Sequence, residues 1–466
     1  MYDLTMNYFQ TIATIPRPSK KEEKIRKRLL DRANKKWFET KVDAAWNIVI
    51  SVAPTTWRED EEVVILQSHM DMVCVKTLES DHNFTTDPIS LVTEWDRMTA
   101  DGTTLWADNG IWLAMSLAAC SIESHPALEI LVTVDEEEWL NGALDLDPSI
   151  ISWKLLINLD TEDLGEICIS SAGGWRIDVI HTLHTDVAKY DQYKFSLTWF
   201  VWWHSWVDID KNRWNAIYEY IKLIVSYTDI LEVSSISGWV ADNAIPWYCT
   251  WVIWIKDREV FESYITSKIN ELQEKFENKD IWYILEASTK KQKVITNIFP
   301  VLEKIIEVDT WVQSMSTSIS WLVQTSKNLG ILSIKDNELQ CTYAPRSSDM
   351  PEHKQNILTI KEMYESIWCT VTSRSIYPWR QQDPNDPLVL HTKKRYEQVY
   401  WSNVEIVAYH AWLECGALVE KIWPWAQAVS FGPTILDPHS PSERCHLPSV
   451  KICCDTLDLM LKNPLK

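Results

Sequence analysis

The sequence predicts an α/β protein built on a mostly parallel sheet with helices on both faces, into which a second, α+β domain is inserted. Largely apolar runs alternate with helical stretches before about residue 180 and again after about residue 378, as in sheets covered on both sides. The runs between these parts alternate apolar with polar residues, as antiparallel strands do. A chain of 466 residues is too long to fold around a single hydrophobic core. We therefore expect one domain at 1–180 and 379–466 and an inserted domain at 181–378.

The first predicted elements are a broken helix and two strands. Residues 7–31 have an amphipathic period that two prolines interrupt, and Ser19 with Glu22 has the spacing of a capping box. Apolar runs predict strands at 47–52 and 61–67. Residues 75–100 are polar and rich in turn formers, so we expect a loop there.

The next elements each adjoin an acidic residue. A helix is predicted at 111–119, just after Asp108. Strands are predicted at 128–134, running into Asp135-Glu-Glu-Glu138, and at 155–159, running into Asp160. The strand before them runs into His69-Met-Asp71, whose first and third side chains share a face because strand side chains alternate. Chemistry in parallel sheets gathers at the carboxyl ends of the strands, so we expect these groups to meet.

The remaining elements complete the two domains. In the insert, strands are predicted at 193–200, 248–255 and 331–341, and helices at 215–227 and 259–276. The α/β pattern resumes with strands at 404–410 and 426–431, and His439 follows the last of them.

Seven residues form a candidate metal site: His69, Asp71, Asp108, Glu136, Glu137, Asp160 and His439. Two imidazoles and several carboxylates are the ligands that two zinc ions sharing a carboxylate require, and a further glutamate beside a ligand can act as a base. The plainer interpretations are core or capping histidines and a solvated acidic turn. The motifs around the histidines argue against the first, and the apolar strand before the acidic run argues against the second.

Composition narrows the possible partners and location. A net charge of −21 disfavours nucleic acid and anionic membranes, which both require a basic surface. No signal peptide is evident at the N-terminus, and no run reaches the roughly 18 apolar residues of a membrane span, so we expect a cytoplasmic protein. Ten cysteines without a Cys-x-x-Cys pair agree with reduced thiols in that compartment.

The glycine and tryptophan contents are abnormal. The chain has 10 glycines and 27 tryptophans, although glycine normally makes up about 7% of residues. Several tryptophans stand where the backbone pattern favours glycine, among them Trp106, Trp112, Trp202, Trp203 and Trp206. We therefore hypothesise that a codon meaning glycine in the source was translated here as tryptophan. Genuine indoles are expected to crowd the candidate site.

Motifs from about residue 7 to the C-terminus resemble those of bacterial aminoacyl-histidine dipeptidases, carnosinase-like members of the di-zinc exopeptidases. The matching segments are His69-Met-Asp71-Met-Val, Asp101-Gly-Thr-Thr-Leu-Trp-Ala-Asp108-Asn-Gly, Thr133-Val-Asp-Glu-Glu137, Asn158-Leu-Asp160-Thr-Glu-Asp, Ser171-Ala-Gly-Gly, His204-Ser, Asn243-Ala-Ile-Pro246, His410-Ala-Trp-Leu-Glu-Cys-Gly416 and Gly432-Pro-Thr with His439-Ser-Pro. The departures are mostly tryptophans where the family has glycine. The resemblance implies a zinc-exopeptidase-like fold in which the insert is a lid domain.

The resemblance also implies a role for each candidate. The implied zinc ligands are a shared Asp108, His69 with Asp160 at one ion, and Glu137 with His439 at the other. Asp71 would orient His69. Glu136 would be the general base, taking a proton from a water between the metals and passing it to the leaving amine.

In the insert, three residues resemble substrate-contacting groups of the family. His204 resembles a histidine that stabilises the oxyanion, and Asn243 and Arg346 resemble groups that bind the terminal carboxylate of the substrate, which the arginine fork suits. The implied activity is hydrolysis of unblocked dipeptides, Xaa-His included, by a homodimer. Two alternatives stay open: a related exopeptidase or N-acyl amino acid deacylase with the same metal site, and an inactive binding or dimerisation scaffold.

Overall fold

The structure of the protein is a computed structural model that forms two compact units, Met1–Ser171 with Arg380–Lys466, and Ala172–Trp379. It describes all residues except 78, 139, 153–154, 172, 188–190, 199–202, 205–208, 211–214, 228–231, 239–243, 278–279, 289–291, 317–322, 378–381, 410–413, 423–425 and 465–466. Within this described part, no helix is long and apolar enough to cross a membrane.

The first unit begins with α1 Tyr2–Ala13, α2 Glu23–Lys35, β1 Glu39–Val42, β2 Ile48–Val52, β3 Val64–His69, β4 Leu91–Glu94, β5 Arg97–Ala100, α3 Ala107–Ala119, β6 Leu128–Thr133, α4 Asn141–Leu144, a 3-10 turn Pro148–Ile150, β7 Leu155–Asn158 and β8 Glu166–Ser171. The second unit contains β9 Gly173–Thr182, β10 Thr185–Asp186, β11 Gln192–Thr198, β12 Trp203–His204, α5 Ala216–Val225, β13 Glu232–Gly238, β14 Ala244–Ile245, β15 Tyr248–Trp254, α6 Arg258–Lys275, β16 Trp282–Ala287, β17 Val294–Ile295, α7 Phe299–Val308, β18 Trp311–Met315, β19 Val323–Lys335, β20 Glu338–Ser347, α8 Met350–Glu365 and β21 Thr370–Tyr377. The first unit resumes with α9 Pro387–Tyr400, β22 Glu405–Tyr409, α10 Glu414–Ile422, β23 Gln427–Ser430, β24 Ile435–Leu436, β25 Arg444–His446 and α11 Leu447–Lys462.

An eight-stranded sheet, in the order β1-β2-β6-β3-β7-β23-β8-β22, organises the first unit. Its centre, β6 to β23, is parallel, and β8 and β22 form a further parallel pair. The contacts of β1 with β2, β2 with β6, and β23 with β8 are antiparallel. The sheet is therefore mixed with a parallel centre, and the predicted α/β class is confirmed.

Alternate residues of the central strands enter two hydrophobic cores, one on each face of this sheet. Leu66 and Ile130 belong to the larger core, which includes side chains of α1, α3, α9 and α11. Ile65 and Leu131 belong to the smaller core, which includes side chains of α4 and α10. Because neighbouring strand residues point to opposite faces, helices cover both faces, as the sequence predicts.

The second unit is an α+β structure. Its eleven-stranded sheet has the main order β16-β11-β15-β13-β19-β20-β9-β21, with antiparallel neighbours along this path. Side chains of α5, α6, α7 and α8 pack with strand residues in one core, among them Ile221, Phe261 and Leu302. This composition agrees with the α+β character predicted for the insert.

Three local expectations are wrong. The expected loop at 75–100 contains the hairpin β4-β5. The strand expected at 331–341 spans the turn between β19 and β20, where Asp336 and Asn337 both have positive φ, as a two-residue hairpin turn requires. Ser19 does not cap α2, which begins at Glu23 without a side-chain cap.

Eight described tryptophans have a positive φ: Trp37, Trp46, Trp57, Trp95, Trp106, Trp311, Trp368 and Trp401. Three of them follow the C-terminal ends of α2, α8 and α9, and Trp95 lies in the two-residue turn between β4 and β5. Residues with a Cβ atom are disfavoured in the left-handed region, which glycine adopts freely.

Trp368 shows this conformation at a helix end. The N–H of Trp368 donates to the carbonyl of Glu365, and the N–H of Cys369 donates to the carbonyl of Tyr364, both at 3.1 Å. This pair of hydrogen bonds is the Schellman motif, whose left-handed residue is usually glycine. The side chain of Trp368 is 92% exposed, so no packing contact of comparable size offsets the strain.

Candidate metal centre

The carboxyl end of β3 provides the first two site residues. His69 ends the strand and is buried, with Nδ1 3.1 Å from Oδ1 of Asp71. Asp71 also accepts hydrogen bonds from Oγ of Ser19 (2.8 Å) and from the N–H groups of Glu136 (3.0 Å) and Glu137 (3.2 Å). Asp71 therefore holds both the imidazole of His69 and the turn that carries the two glutamates.

Asp108 lies between two histidines that are distant in the chain. One of its carboxylate oxygens is 3.3 Å from Nε2 of His69, and the other is 3.1 Å from Nε2 of His439. Asp108 itself has non-helical φ and ψ angles at the start of α3. A single carboxylate that faces two imidazoles through separate oxygens has the arrangement of a bridging ligand.

A further carboxylate accompanies each histidine. Oδ1 of Asp160 lies 4.0 Å and Oε2 of Glu136 3.9 Å from Nε2 of His69, whereas Oε2 of Glu137 lies 3.1 Å from Nε2 of His439. Ligand atoms lie within 4.8 Å of one another in three groups: His69, Asp108 and Asp160; Asp108, Glu137 and His439; His69, Glu136 and Glu137. The structure thus brings all seven candidates of the metal site together.

The crowded charges perturb one another. Burial and the charges of neighbouring carboxylates raise the pKa of Glu136 and Asp160, although His69 opposes the shift. Burial also acts to raise the pKa of Asp108, but hydrogen bonds from His439 and His69 outweigh it and lower that pKa. Burial disfavours charge on His69, yet its bonds to Asp108 and Asp71 raise its pKa. The cluster therefore concentrates negative charge that needs cations to balance it.

The donor set fits divalent metal ions. Oε1 of Glu137 is buried, and no donor in the described part of the chain satisfies it. Imidazole nitrogens and carboxylate oxygens are ligands that zinc takes, and a metal ion would offset the carboxylate crowding. The residues present therefore fit two cations that share Asp108.

Four further residues support the site without having been candidates. Nδ2 of Asn109 donates to Oδ1 of Asp160 at 2.6 Å. In the sequence, only the position of Asn109 next to the candidate ligand Asp108 could have indicated this role. Ser19 contacts Asp71, as described above. Arg17 and Glu443 bind main-chain groups near Asp108, and such contacts leave no pattern in a sequence.

Trp106 and Trp112 are fully buried beside the site. The indoles do not separate the carboxylate of Asp108 from either histidine. Instead, both indole N–H groups are buried without an acceptor among the described residues. Each such group costs about 1–3 kcal/mol of stability.

The three candidates of the insert lie in the second unit. Arg346 is in β20 and is buried. His204 is in the short strand β12, and its side chain is outside the described part. Asn243 lies outside the described residues altogether.

Known proteins resemble the chain over nearly its whole length. Residues 65–463 match the family described as Peptidase family M20/M25/M40. The cytosol non-specific dipeptidase of Escherichia coli (strain K12) is 30% identical over 456 residues, which cover 95% of this chain and 93% of that protein.

Solved structures share the fold. Aminoacylhistidine dipeptidase from Vibrio alginolyticus has a TM-score of 0.87 at 28% identity, covering 99% of this chain and 97% of that one. Aminopeptidase PepT from Bacillus cereus ATCC 10987 has a TM-score of 0.59 at 14% identity, covering 99% and 98%, which is a likeness in fold. These similarities confirm the resemblance that the motifs indicated: the chain belongs to peptidase family M20/M25/M40 and is a hydrolase of peptide bonds.

Proposed function

We propose that the protein is a cytoplasmic di-zinc dipeptidase that hydrolyses unblocked dipeptides, including those that end in histidine. The observation that carries the proposal is the position of Asp108, whose two oxygens face His69 and His439 separately. It is supported by the names of two similar proteins, a cytosol non-specific dipeptidase and an aminoacylhistidine dipeptidase.

In this proposal each zinc ion has one histidine and two carboxylates from the chain. His69, Asp108 and Asp160 hold one ion, and Asp108, Glu137 and His439 hold the other. Asp71 accepts the Nδ1–H of His69, which keeps the lone pair of Nε2 free to face the metal. The short distances within the two ligand groups support this division.

Glu136 is the general base of the proposed reaction. When bound, the zinc ions polarise the scissile carbonyl and lower the pKa of the attacking water. Glu136 accepts a proton from that water and then donates it to the leaving amine, a role worth about 10²–10⁴-fold in rate. The raised pKa of Glu136, caused by burial and nearby carboxylates, makes it a stronger base than an exposed glutamate.

We propose that the insert, for which the sequence predicts residues 181–378 and which the second unit largely contains, supplies substrate contacts as a lid domain. His204 would stabilise the oxyanion, and Asn243 and Arg346 would bind the substrate carboxylate. These roles come from the family resemblance, as does the proposed homodimer.

A substrate panel tests the activity. Zinc-loaded protein is assayed with an Xaa-His dipeptide, another dipeptide, a tripeptide and an N-acetyl amino acid, and Glu136→Gln is the matched control. We expect hydrolysis of both dipeptides by the wild type and zinc retained by the variant without turnover. Preference for the N-acetyl amino acid would favour a deacylase instead, and zinc binding without turnover of any substrate would favour the scaffold.

We also propose that glycine occupies the positions read here as tryptophan. Left-handed conformations at three helix ends and in a two-residue turn support this, because glycine normally fills such places. The unsatisfied indole N–H groups of Trp106 and Trp112 support it at the metal centre. Peptide mass spectrometry of the protein from its natural source tests the idea, and intact indoles at 37, 368 and 401 would refute it.

A further inference from the structure

We propose that Glu443 is a positioning residue whose carboxylate holds the main chain around Asp108, and so places the shared ligand for both metal ions. The proposal rests on the di-zinc site described above. Glu443 ends the His439-Ser-Pro-Ser-Glu443 segment, of which only the histidine has a role so far.

Both carboxylate oxygens of Glu443 accept hydrogen bonds from four consecutive main-chain N–H groups. Oε2 accepts from Leu105 at 2.7 Å and Trp106 at 3.2 Å. Oε1 accepts from Ala107 at 2.9 Å and Asp108 at 3.3 Å. Glu443 is only 2% exposed, so these bonds form away from competing water. Hydrogen bonds to a carboxylate are stronger than those between neutral groups, and four of them fix this stretch of chain firmly.

The four N–H groups converge because of the backbone at residue 106. Trp106 has φ 63° and ψ 27°, in the left-handed region. Successive N–H groups around a left-handed residue form a concave nest that binds an anionic group, and here the chain fills that nest with its own carboxylate.

Arg17 fixes the same peptide from its other side. Its guanidinium is fully buried, and Nη2 donates to the carbonyl of Trp106 at 3.0 Å, while Nη1 donates to the carbonyl of Met70 at 3.2 Å. The main chain before Asp108 is therefore held through its N–H groups by Glu443 and through a carbonyl by Arg17.

Glu443 also connects the main chain at Asp108 with the turn that follows His439. Its N–H donates to the carbonyl of Ser440 at 3.1 Å, which closes the turn that follows His439. The segment from His439 to Glu443 contacts Asp108 twice: the carboxylate of Glu443 binds its main chain, and Nε2 of His439 lies against its side chain. A shift of the turn would displace one metal ligand and the shared ligand together.

Glu443→Gln tests the proposal with little change in shape. The amide NH₂ replaces one acceptor oxygen, so two of the four main-chain N–H groups then face a donor. We expect zinc affinity, measured by chelator competition on apo protein, to fall about 10–100-fold, the usual effect of losing a supporting partner of a metal ligand. Added zinc should restore dipeptide turnover, with KM unchanged.

Glu129→Gln is the matched control. Glu129 is also a buried glutamate of the first unit, and it accepts hydrogen bonds from the N–H and Oγ of Ser152. This variant should lose thermal stability but bind zinc as the wild type does. If Glu443→Gln is folded and binds zinc with wild-type affinity, the positioning role is refuted.

Two further outcomes are distinguishable. Failure of the wild type to bind zinc would overturn the proposed function and this inference together, whereas an unchanged Glu443→Gln affinity overturns only the inference. Should Glu443→Gln not fold, Glu443→Asp replaces it, since the shorter side chain keeps the charge but cannot span all four N–H groups. The same loss of zinc affinity is expected, and its absence would again refute the role.

Discussion

Replacing Trp368 by glycine should stabilise the second unit. The residue has φ 67° beyond the C-terminal end of α8, and its indole is 92% exposed. The left-handed conformation costs a residue with Cβ about 1–2 kcal/mol. Glycine removes that cost but adds about 0.5–1 kcal/mol of unfolded-state entropy. The net expected gain is about 1 kcal/mol in the free energy of unfolding.

Two variants make the measurement specific. Trp368→Ala removes the indole but keeps Cβ, so it should give no comparable gain. Trp282 is also partly exposed, but it lies in β16 opposite Thr198, in an extended strand. There, Trp282→Gly should destabilise the same unit by about 1 kcal/mol, because glycine weakens strands.

Urea titration followed by circular dichroism gives the stability of each variant, with the second-unit transition compared at constant slope. The expected result is opposite signs for the two glycine substitutions. If Trp368→Gly destabilises the unit as Trp282→Gly does, the reasoning that residue 368 has a strained backbone is refuted. An equal gain for Trp368→Ala would trace the effect to the indole rather than to Cβ.

Three further predictions concern the site and its surroundings. Glu136→Gln should lower kcat about 10²–10⁴-fold while plasma emission spectrometry finds wild-type zinc content, and loss of zinc would contradict its role as base. Asp108→Ala removes the shared ligand and should abolish both zinc sites, whereas Glu137→Ala should retain one zinc per chain in the same measurement. Burial, together with the charge of Arg346, lowers the pKa of His353 from 6.5 to about 4. The unfolded chain therefore binds more protons than the folded chain between these pH values. As pH falls from 6.5 to 4, the free energy of unfolding of the second unit should decrease by up to about 3 kcal/mol. In urea titrations across that range, His353→Phe should flatten the dependence.

The cluster of candidate metal ligands could be predicted from the sequence because several of its side chains follow apolar runs. His69 is the last residue of a buried strand and Asp160 lies two residues beyond another, and parallel strands bring their carboxyl ends to one edge of the sheet. His439 lies farther from its strand, in the segment that follows β23 and β24. Each of these residues is also of a type that binds metals, so both the kind of side chain and its position in the sequence indicated a ligand.

The supporting residues could not be found in this way. Glu443 and Arg17 bind main-chain N–H and carbonyl groups, which almost every residue possesses, so no partner type marks them in the sequence. The hairpin β4-β5 was hidden because Trp95 occupies the turn position where glycine would have indicated a hairpin. At Asp336-Asn337 the turn signal was present, but the regular alternation on both sides concealed it.

His439 is the last of the candidate metal ligands that the ribosome adds to the chain. His69, Asp108, Glu137 and Asp160 are synthesised first, then the whole second unit, and only then the turn with His439 and Glu443. A nascent chain can complete its inserted unit before the segment with His439 and Glu443 has been made. In the proposed mechanism hydrolysis therefore requires a segment that is made late, and chains that end before His439 should be inactive.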